Sequence, residues 1–191
     1  MRKLKITAFL YFFADLLFCQ SQLTPPPKAL KTLSDYLAAN KKQFTNTNYS
    51  VLIDYTQPSN VPRFFLLNNK NGTAESFLVA HGKGSDPDYS GIANLFGDKI
   101  NSHMTPLGFF KTTETYVGKH GYSLKLKGLS QTNLNAESRA IVIHGADYVS
   151  KDRKILGRSW GCPALEKNLS KDIIDKIKNG ALVYSYHSSI K

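Results

Sequence analysis

The sequence predicts a mainly β domain with a few helices, an α+β arrangement. Short apolar or alternating runs recur along most of the chain, and Asn-Gly or Gly-rich stretches separate them. Only two segments show the spacing of apolar residues that is typical of amphipathic helices. The chain has 191 residues, which is enough for one domain with a sizeable core.

The first 21 residues have the features of a secretion signal peptide. Three basic residues lie within the first five positions, and residues 6–18 are almost entirely apolar. This run is too short to span a bilayer comfortably, which favours a cleaved signal over an anchor. Cleavage is expected between Cys19 and Ser21, and lipid attachment at Cys19 is the alternative, which the large Phe18 disfavours. We therefore expect a periplasmic or other extracytoplasmic protein without stable membrane insertion after cleavage.

Residues 22–48 are expected to form a linker and a short N-terminal helix. The run Thr-Pro-Pro-Pro at 24–27 is stiff. From Lys28 to Asn40, apolar residues recur at the spacing of one helix face. The remaining residues, 49–191, are expected to form the functional domain.

Seven strands are predicted within that domain. The Asn-Gly pair at 71–72 indicates a hairpin turn after the second strand. The fifth strand alternates apolar and polar residues, as a half-buried strand does, and the sixth is continuously apolar, which suits a strand covered on both faces. The predicted strands are residues 50–55, 63–67, 75–80, 108–112, 122–126, 139–144 and 181–186.

A second helix is predicted from Lys171 to Lys178. Ser170 is a suitable N-terminal cap, and Gly180 lies just past the expected end. Residues 82–105 are rich in Gly, Ser, Asp and Pro and predict a long loop. Loops of this length in compact domains are often functional.

The charge of the chain favours anionic partners. Lys and Arg number 25 against 14 Asp and Glu, for a formal net charge of +11. Because an exported protein rarely meets nucleic acid, no nucleic-acid partner is expected, and anionic cell-wall polymers fit better. The basic residues are scattered, so a merely solubilising role is the alternative. We expect a monomer.

Cys162 is the only cysteine that remains after signal removal, and it lies in a loop flanked by glycine. His144 ends an apolar run 18 positions upstream. Exported proteins normally pair their cysteines in disulfides. A lone thiol with a histidine at the end of a nearby strand therefore indicates a nucleophile and its base within hydrogen-bond reach. The alternative is a buried structural cysteine.

Each residue around this pair has an expected role. His144 would remove the thiol proton and later protonate the leaving amine. Ser159 or the carbonyl of Gly145 would orient its ring by accepting from the other nitrogen. An oxyanion needs preorganised N–H donors. The expected donors are the peptide amides of Trp160, Gly161 and Cys162.

The order His144, about fifteen residues, then Ser159-Trp160-Gly161-Cys162 resembles the active-site signature of bacterial L,D-transpeptidases. Four segments are similar to the murein L,D-transpeptidase catalytic domain branch of that family, and Thr105–Phe110 resembles its Thr-Pro-x-Gly-x-Phe segment. The resemblance implies an L,D-transpeptidase-like β-sandwich catalytic domain over residues 49–191 that needs neither a metal nor an organic cofactor. The four segments are residues 79–85, 118–124, 143–146 and 157–165.

The chain departs from the commoner family pattern at two places. The family often has a second histidine directly before Gly-Cys, where this chain has Trp160. It often has an arginine just after the cysteine, where Pro163 and Ala164 stand here. Arg158 is the candidate replacement as a carboxylate partner. A lone tryptophan more often packs than binds, so the Trp160 side chain is expected beneath the loop.

The resemblance implies acyl transfer on peptidoglycan stem peptides. The thiol would attack the third residue of a tetrapeptide stem, D-alanine would leave, and a neighbouring stem amine would resolve the thioester into a 3→3 cross-link. One alternative is an L,D-carboxypeptidase that uses water as acceptor. Another is a non-catalytic wall-binding module on the same scaffold.

Several further residues are candidates for substrate binding. A loop histidine satisfied by backbone groups is the alternative for His81 and for His120. The spacings of the histidines and Cys162 match no compact metal motif, so a zinc site is not expected. His103 and His187 are expected at the surface. The substrate-binding candidates are Arg158, Gly145, His120, Tyr122 and His81.

Overall fold

The computed structural model describes residues 23–189, so the predicted signal peptide lies outside the described residues. Two α-helices and nine strands follow one another along the chain, with short 3₁₀ turns at Lys41–Gln43 and Lys83–Ser85. Their bounds are α1 Pro27–Ala39, β1 Tyr49–Asp54, β2 Phe64–Asn68, β3 Ala74–Phe77, β4 Val79–Ala80, β5 Gly108–Gly118, β6 Gly121–Gly128, β7 Val142–Ala146, β8 Ala164–Glu166, α2 Lys167–Ile177 and β9 Leu182–Tyr186.

The nine strands form one sheet in the order β3-β2-β1-β9-β5-β6-β7-β8-β4. Neighbouring strands are antiparallel except for two parallel pairs, β1 with β9 and β7 with β8. Apolar residues from eight of these strands and from α2 pack in one core, because each strand turns alternate side chains to the same face. The predicted mainly β fold with few helices is confirmed.

Helix α1 covers a second core on the outer side of the sheet. Its buried residues Ala29 and Leu33 pack with Leu52 of β1 and Leu182 of β9. The spacing of apolar residues predicts this helix to within one residue at each end. An isolated helix of this length is only marginally stable in water, so most of its stability comes from packing of its apolar face. This packing attaches the N-terminal segment to the domain.

Two local predictions are wrong, and strand β8 was not predicted. Helix α2 starts at Lys167, so Ser170 lies buried inside the helix rather than at its cap. The predicted strand 75–80 is split, since β3 pairs with β2 whereas β4 pairs with β8. Strand β8 has three residues, which is too short for a periodic pattern. Within residues 23–189, neither helix is long and apolar enough to cross a bilayer.

Candidate active site

Two parallel strands bring the candidate nucleophile and base to the same part of the sheet. His144 in β7 pairs with Ala164 in β8, and Cys162 lies two residues before Ala164. The extended register therefore places Cys162 beside Val142, whose peptide N–H donates a hydrogen bond to the sulfur. Val142 and His144 share one face of β7 because they are two residues apart. The fold thus sets the thiol and the imidazole on adjacent chain segments.

The thiol of Cys162 is protonated at rest. The side chain is partly exposed, and its sulfur lies 3.6 Å from the carbonyl oxygen of Ala140. Burial raises the pKa of the thiol above its ordinary value, although the Val142 N–H and the Arg139 charge both act to lower it. Among the described residues the thiol donates to Ala140, so the expected hydrogen bond to His144 is not formed. Catalytic hydrogen bonds commonly tighten only when substrate is bound.

The carbonyl of Gly145 fixes the tautomer of His144. The Nδ1 atom of His144 lies 3.0 Å from that oxygen, and a carbonyl only accepts, so Nδ1 carries the proton. The Nε2 atom therefore holds the free lone pair. Burial lowers the pKa of His144, and the nearby His120 lowers it further, while the bond to Gly145 raises it. A neutral imidazole with a free nitrogen is suited to act as a base.

His120 covers one face of the candidate base. It lies in the turn between β5 and β6, and its exposed ring stacks on His144 with 4.3 Å between centroids and 25° between planes. The hairpin brings it there because Ser123, three residues on, pairs directly with His144. Of the five substrate-binding candidates, His120 is thus the one whose ring contacts the catalytic candidates.

Ser159 organises the nucleophile loop, which comprises residues 159–162. Its hydroxyl accepts from the N–H of Gly161 at 3.1 Å and donates to the carbonyl of Cys162 at 2.6 Å. The amide of Gly161 is therefore occupied, contrary to its expected role as an oxyanion donor. Within residues 23–189 the amides of Trp160 and Cys162 have no hydrogen-bond partner. Ser159 shapes the loop, and Gly145 rather than Ser159 orients His144.

The loop at residues 82–105 is tied to the nucleophile loop. Lys83 donates its N–H to the carbonyl of Ser159 at 2.8 Å, and Ser159 donates its own to the carbonyl of His81 at 2.9 Å. The N–H of Gly82 donates to the hydroxyl of Thr105 at 2.8 Å. The two neighbours of Gly82, His81 and Lys83, thus both form backbone hydrogen bonds with Ser159 in the nucleophile loop.

An open groove of about 550 Å³ lies next to residues that contact the sulfur, although neither Cys162 nor His144 lines it. Ala140 and Val142, the two residues that hydrogen bond to Sγ, both line it. Its size lies within the range of ligand pockets in proteins. Its other lining residues are Thr113, Glu114, Tyr116, Lys125, Leu126, Glu137 and Ile141.

A family model for the L,D-transpeptidase catalytic domain matches residues 22–186. The chain belongs to this family. The match covers the described fold almost from end to end, including α1, both candidate catalytic residues and the last strand. The resemblance found in the sequence is thereby confirmed.

Several solved structures are similar to this L,D-transpeptidase domain at low sequence identity. An L,D-transpeptidase from Mycobacterium tuberculosis H37Rv is 13% identical with a TM-score of 0.48, and 72% of this chain aligns with 57% of it. L,D-transpeptidase 3 from M. tuberculosis is 13% identical with a TM-score of 0.47, over 72% and 60% of the two chains.

The helical cell shape determining protein Pgp2 from Campylobacter jejuni is 16% identical with a TM-score of 0.45, over 85% of this chain and 57% of that one. The domain thus spans about three fifths of the length of these structures. No curated protein matches the chain.

Substitution of Gly82 should disturb the nucleophile loop. A Cβ atom there would collide with the carbonyl oxygen of His103 and lie 2.8 Å from the Cα of Gly161. Both are backbone atoms, so we expect Gly82→Ala to cost about 1–3 kcal/mol of unfolding free energy and to lower activity. Gly97→Ala is the control, since its Cβ would meet only the flexible Met104 side chain at 3.2 Å. Denaturant unfolding measures both variants, and equal stability would contradict the expected collision.

Arg139 is a residue near the thiol that the sequence did not single out. Its guanidinium donates to the carbonyls of Met104 at 2.6 Å and Gly97 at 2.9 Å, and contacts Asp98 at 3.3 Å. Its side chain is 3% exposed. A Cβ atom on Gly161 would lie 2.9 Å from this guanidinium. The only signal in the sequence is a basic residue directly before the apolar run that ends in His144.

Removal of the Arg139 charge should make the thiol harder to ionise. Because this charge lowers the pKa of Cys162, we expect Arg139→Met to raise that pKa further and to slow thiol alkylation at neutral pH. The pH dependence of iodoacetamide alkylation measures the change. Arg158→Met is the matched control, since the Arg158 guanidinium binds the carbonyl of Asp86 and lies over Tyr89. An unchanged alkylation profile in Arg139→Met would contradict this role.

His81 is part of a buried cluster with Arg63 and Asp86. Its side chain is 1% exposed. Nδ1 accepts from Arg63 at 2.8 Å, and Nε2–H donates to Asp86 at 3.2 Å. Burial and the Arg63 charge lower the pKa of His81 to about 4. The neutral ring bridges a cation and a carboxylate within the domain, and the role of His81 in substrate binding stays a prediction.

Acid should destabilise the domain through His81. Its folded pKa of about 4 lies below the ordinary value of 6.5, so the unfolded chain binds the proton more tightly. Above pH 6.5, His81 is neutral in both the folded and the unfolded chain and costs no stability. As the pH falls from 6.5 towards 4, protonation of the unfolded chain lowers the free energy of unfolding. We expect this residue to contribute about 3 kcal/mol of that loss. Unfolding free energies measured across this window should fall less steeply for His81→Gln. Equal slopes for the two proteins would contradict the assignment.

Tyr122, Arg158 and Gly145 each make contacts within the domain, and their roles in substrate binding stay predictions. Tyr122 lies on the opposite face of β6 from Ser123, and its hydroxyl donates to Asp175 of α2 at 2.9 Å. Arg158 is held by the 82–105 loop. Gly145 is buried against α2, where a Cβ would lie 2.5 Å from the Ser170 hydroxyl. In the part of the chain that the structure describes, no three His, Cys, Asp or Glu side chains are grouped to hold a metal ion.

Proposed function

We propose that this chain is a peptidoglycan L,D-transpeptidase that acts through a thioester on Cys162. It would cleave a tetrapeptide stem after its third residue and transfer the acyl group to a side-chain amine of a neighbouring stem, which forms a 3→3 cross-link. Membership of the L,D-transpeptidase catalytic domain family supports a peptidoglycan-modifying enzyme.

The observation that carries the proposal is the orientation of His144. The bond from Nδ1–H to the Gly145 carbonyl leaves Nε2 as the free base, on the strand that pairs with the segment carrying Cys162. Burial acts in opposite directions on the two groups, raising the pKa of the thiol and lowering that of the imidazole. Both effects favour the neutral pair, so thiol deprotonation by Nε2 would accompany attack on the substrate.

The proposed reaction has two steps. Nε2 of His144 takes the thiol proton while Sγ of Cys162 attacks the carbonyl carbon of the third stem residue. The oxygen of that carbonyl becomes an oxyanion, which the amides of Trp160 and Cys162 would bind, since neither has a hydrogen-bond partner among the described residues. Collapse of the intermediate breaks the C–N bond, and His144 returns the proton to the leaving D-alanine amine. An amine then attacks the thioester and releases the thiolate, which regains a proton.

The groove beside the sulfur supports an acceptor other than water. It is open, and the carboxylates of Glu114 and Glu137 line it together with the ammonium of Lys125. Lys125 is paired with Glu114 at 2.6 Å, which leaves the Glu137 charge to attract a cationic amine. We extend the proposal to an exported monomer that works outside the cytoplasm on wall polymers.

Product analysis tests the proposed reaction. The mature protein is incubated with a disaccharide-tetrapeptide, with and without a second stem that offers a free side-chain amine, and the products are identified by mass spectrometry. We expect D-alanine release and a cross-linked dimer when the amine is present. A tripeptide product alone under both conditions would instead identify an L,D-carboxypeptidase. No D-alanine release under either condition would contradict both activities and leave a non-catalytic module.

A further inference from the structure

An exposed aromatic surface lies beside the candidate nucleophile. The indole of Trp160 is 68% exposed, so the expectation that it packs beneath the loop is wrong. The ring of His103 lies against it with 4.7 Å between centroids, and the ammonium of Lys83 lies 5.5 Å from the indole centroid. We call these three residues the Trp160 platform. An exposed large aromatic side chain at the edge of a catalytic loop indicates a binding role.

Backbone hydrogen bonds position two members of the Trp160 platform, Lys83 and His103. Lys83 is fixed by its N–H bond to the carbonyl of Ser159 at 2.8 Å. His103 has a φ of +55°, a conformation that non-glycine residues rarely adopt, and its carbonyl accepts from Gly84 at 3.0 Å. Strained residues of this kind cluster at functional sites. The platform is thus built by the contact between the 82–105 loop and the nucleophile loop.

The chemistry of the Trp160 platform selects among parts of the proposed substrate. An acceptor amine is cationic, and the Lys83 ammonium would repel it. The leaving D-alanine carries a carboxylate that an ammonium can pair with, but its single methyl group offers no flat face for the exposed indole to stack on. A pyranose ring, by contrast, presents a flat face of C–H groups to an aromatic ring, and its hydroxyl and acetamido groups accept hydrogen bonds from an ammonium or an imidazole.

The distances also suit a sugar. The attacked carbonyl belongs to the third stem residue, so three stem residues, which span at most about 11 Å when extended, and the linker to the sugar lie between the carbonyl and the sugar ring. Trp160 and Cys162 are two residues apart, which is at most about 7 Å between their Cα atoms. The indole is therefore within reach of the sugar that carries the stem whose carbonyl lies at the sulfur.

We infer that the Trp160 platform binds an N-acetylhexosamine ring of the glycan strand that carries the donor stem. This inference rests on the proposed function for its substrate. The indole stacks on the sugar face, and Lys83 and His103 donate to its polar groups. The enzyme then recognises the donor by its glycan as well as by its peptide, and glycan-linked stems are preferred to free peptides.

The chain contains one tryptophan, so tryptophan emission reports on the platform directly. The Cys162→Ala protein is titrated with a β-1,4-linked N-acetylglucosamine tetramer, a disaccharide-tetrapeptide and a sugar-free tetrapeptide. We expect saturable emission changes with both saccharides, and binding of the disaccharide-tetrapeptide about tenfold tighter than that of the free tetrapeptide. An emission spectrum unmoved by the tetramer, or equal affinities for the two tetrapeptides, would overturn the inference.

Variants locate the effect by calorimetry. The affinity ratio between the glycan-linked and the free tetrapeptide should approach one in Trp160→Leu and fall in Lys83→Gln. Leu134→Ala is the control, since Leu134 is another large apolar side chain that is 55% exposed and does not line the groove, and its ratio should match that of the parent. An unchanged ratio in Trp160→Leu would place the sugar elsewhere and overturn the inference.

The outcomes separate this inference from the proposed function. Cross-linking of sugar-free stems together with an affinity ratio of one would leave the transpeptidase proposal standing and reject the platform. Saccharide binding at Trp160 without any acyl transfer by the intact chain would support the platform and reject the transpeptidase proposal.

Discussion

Cys162→Ala should abolish D-alanine release from a tetrapeptide stem. The thiol is the proposed attacking atom, and no other cysteine occurs among the described residues. We expect a loss of at least about 10⁴-fold in kcat/KM, because loss of a covalent nucleophile removes the reaction path rather than weakening it. The measurement is the rate of D-alanine release at fixed enzyme concentration.

Stability measurements show whether that loss is chemical. The Cys162 side chain is partly exposed, so its replacement by Ala leaves a small cavity at most, and we expect the unfolding free energy to change by about 1 kcal/mol or less. Cys162→Ser is the control that keeps a donor for the Ala140 carbonyl. Wild-type turnover in either variant would exclude Cys162 as the nucleophile.

His144→Asn should lower kcat/KM by about 10²–10⁴-fold. The Asn side-chain N–H₂ occupies the place of Nδ1–H and can keep the bond to the Gly145 carbonyl, while the atom equivalent to Nε2 is lost. The substitution therefore removes the base and preserves the local hydrogen bond. Steady-state kinetics with the same tetrapeptide measure the effect.

The pH profile of the wild-type enzyme gives an independent check on His144. Its pKa is lowered below the ordinary value of 6.5 by burial and by His120, so kcat/KM should fall on the acid side only below pH 6.5. His120→Gln, which removes the electrostatic effect that lowers the pKa of His144, should move this acid limb to higher pH. The matched variant His187→Gln should leave it in place. An acid limb well above pH 6.5 in the wild type would contradict a neutral resting base.

Local patterns predicted most of the elements, and the errors occur where a neighbour in space decides. The helical spacing before residue 40 predicts α1 to within a residue. By contrast, residues 75–80 read as one strand, but β3 and β4 follow different partners on opposite edges of the sheet. Helix α2 begins directly after β8 without a loop, so Ser170 had no capping position to occupy.

The candidate site also contains some residues that local sequence predicts and others that only the folded structure reveals. Cys162 and His144 could be predicted because exported chains rarely keep a single cysteine and because the flanking residues resemble a known family. The sequence also pointed to His120 as a substrate-binding candidate, but its stacking on His144, like the position of Arg139, depends on tertiary contacts between separate elements. The exposure of Trp160 likewise depends on the 82–105 loop, for which the sequence predicts no conformation.

The mass of the protein after reaction tests the central claim most directly. A carbapenem carries a strained amide that a reactive active-site thiol opens, and the whole molecule remains attached as a thioester. We predict one equivalent of added mass on the mature chain, located by peptide mapping on Cys162 and missing from Cys162→Ser. An unmodified protein after prolonged incubation with the carbapenem and with the tetrapeptide, or an adduct on another residue, would contradict the account.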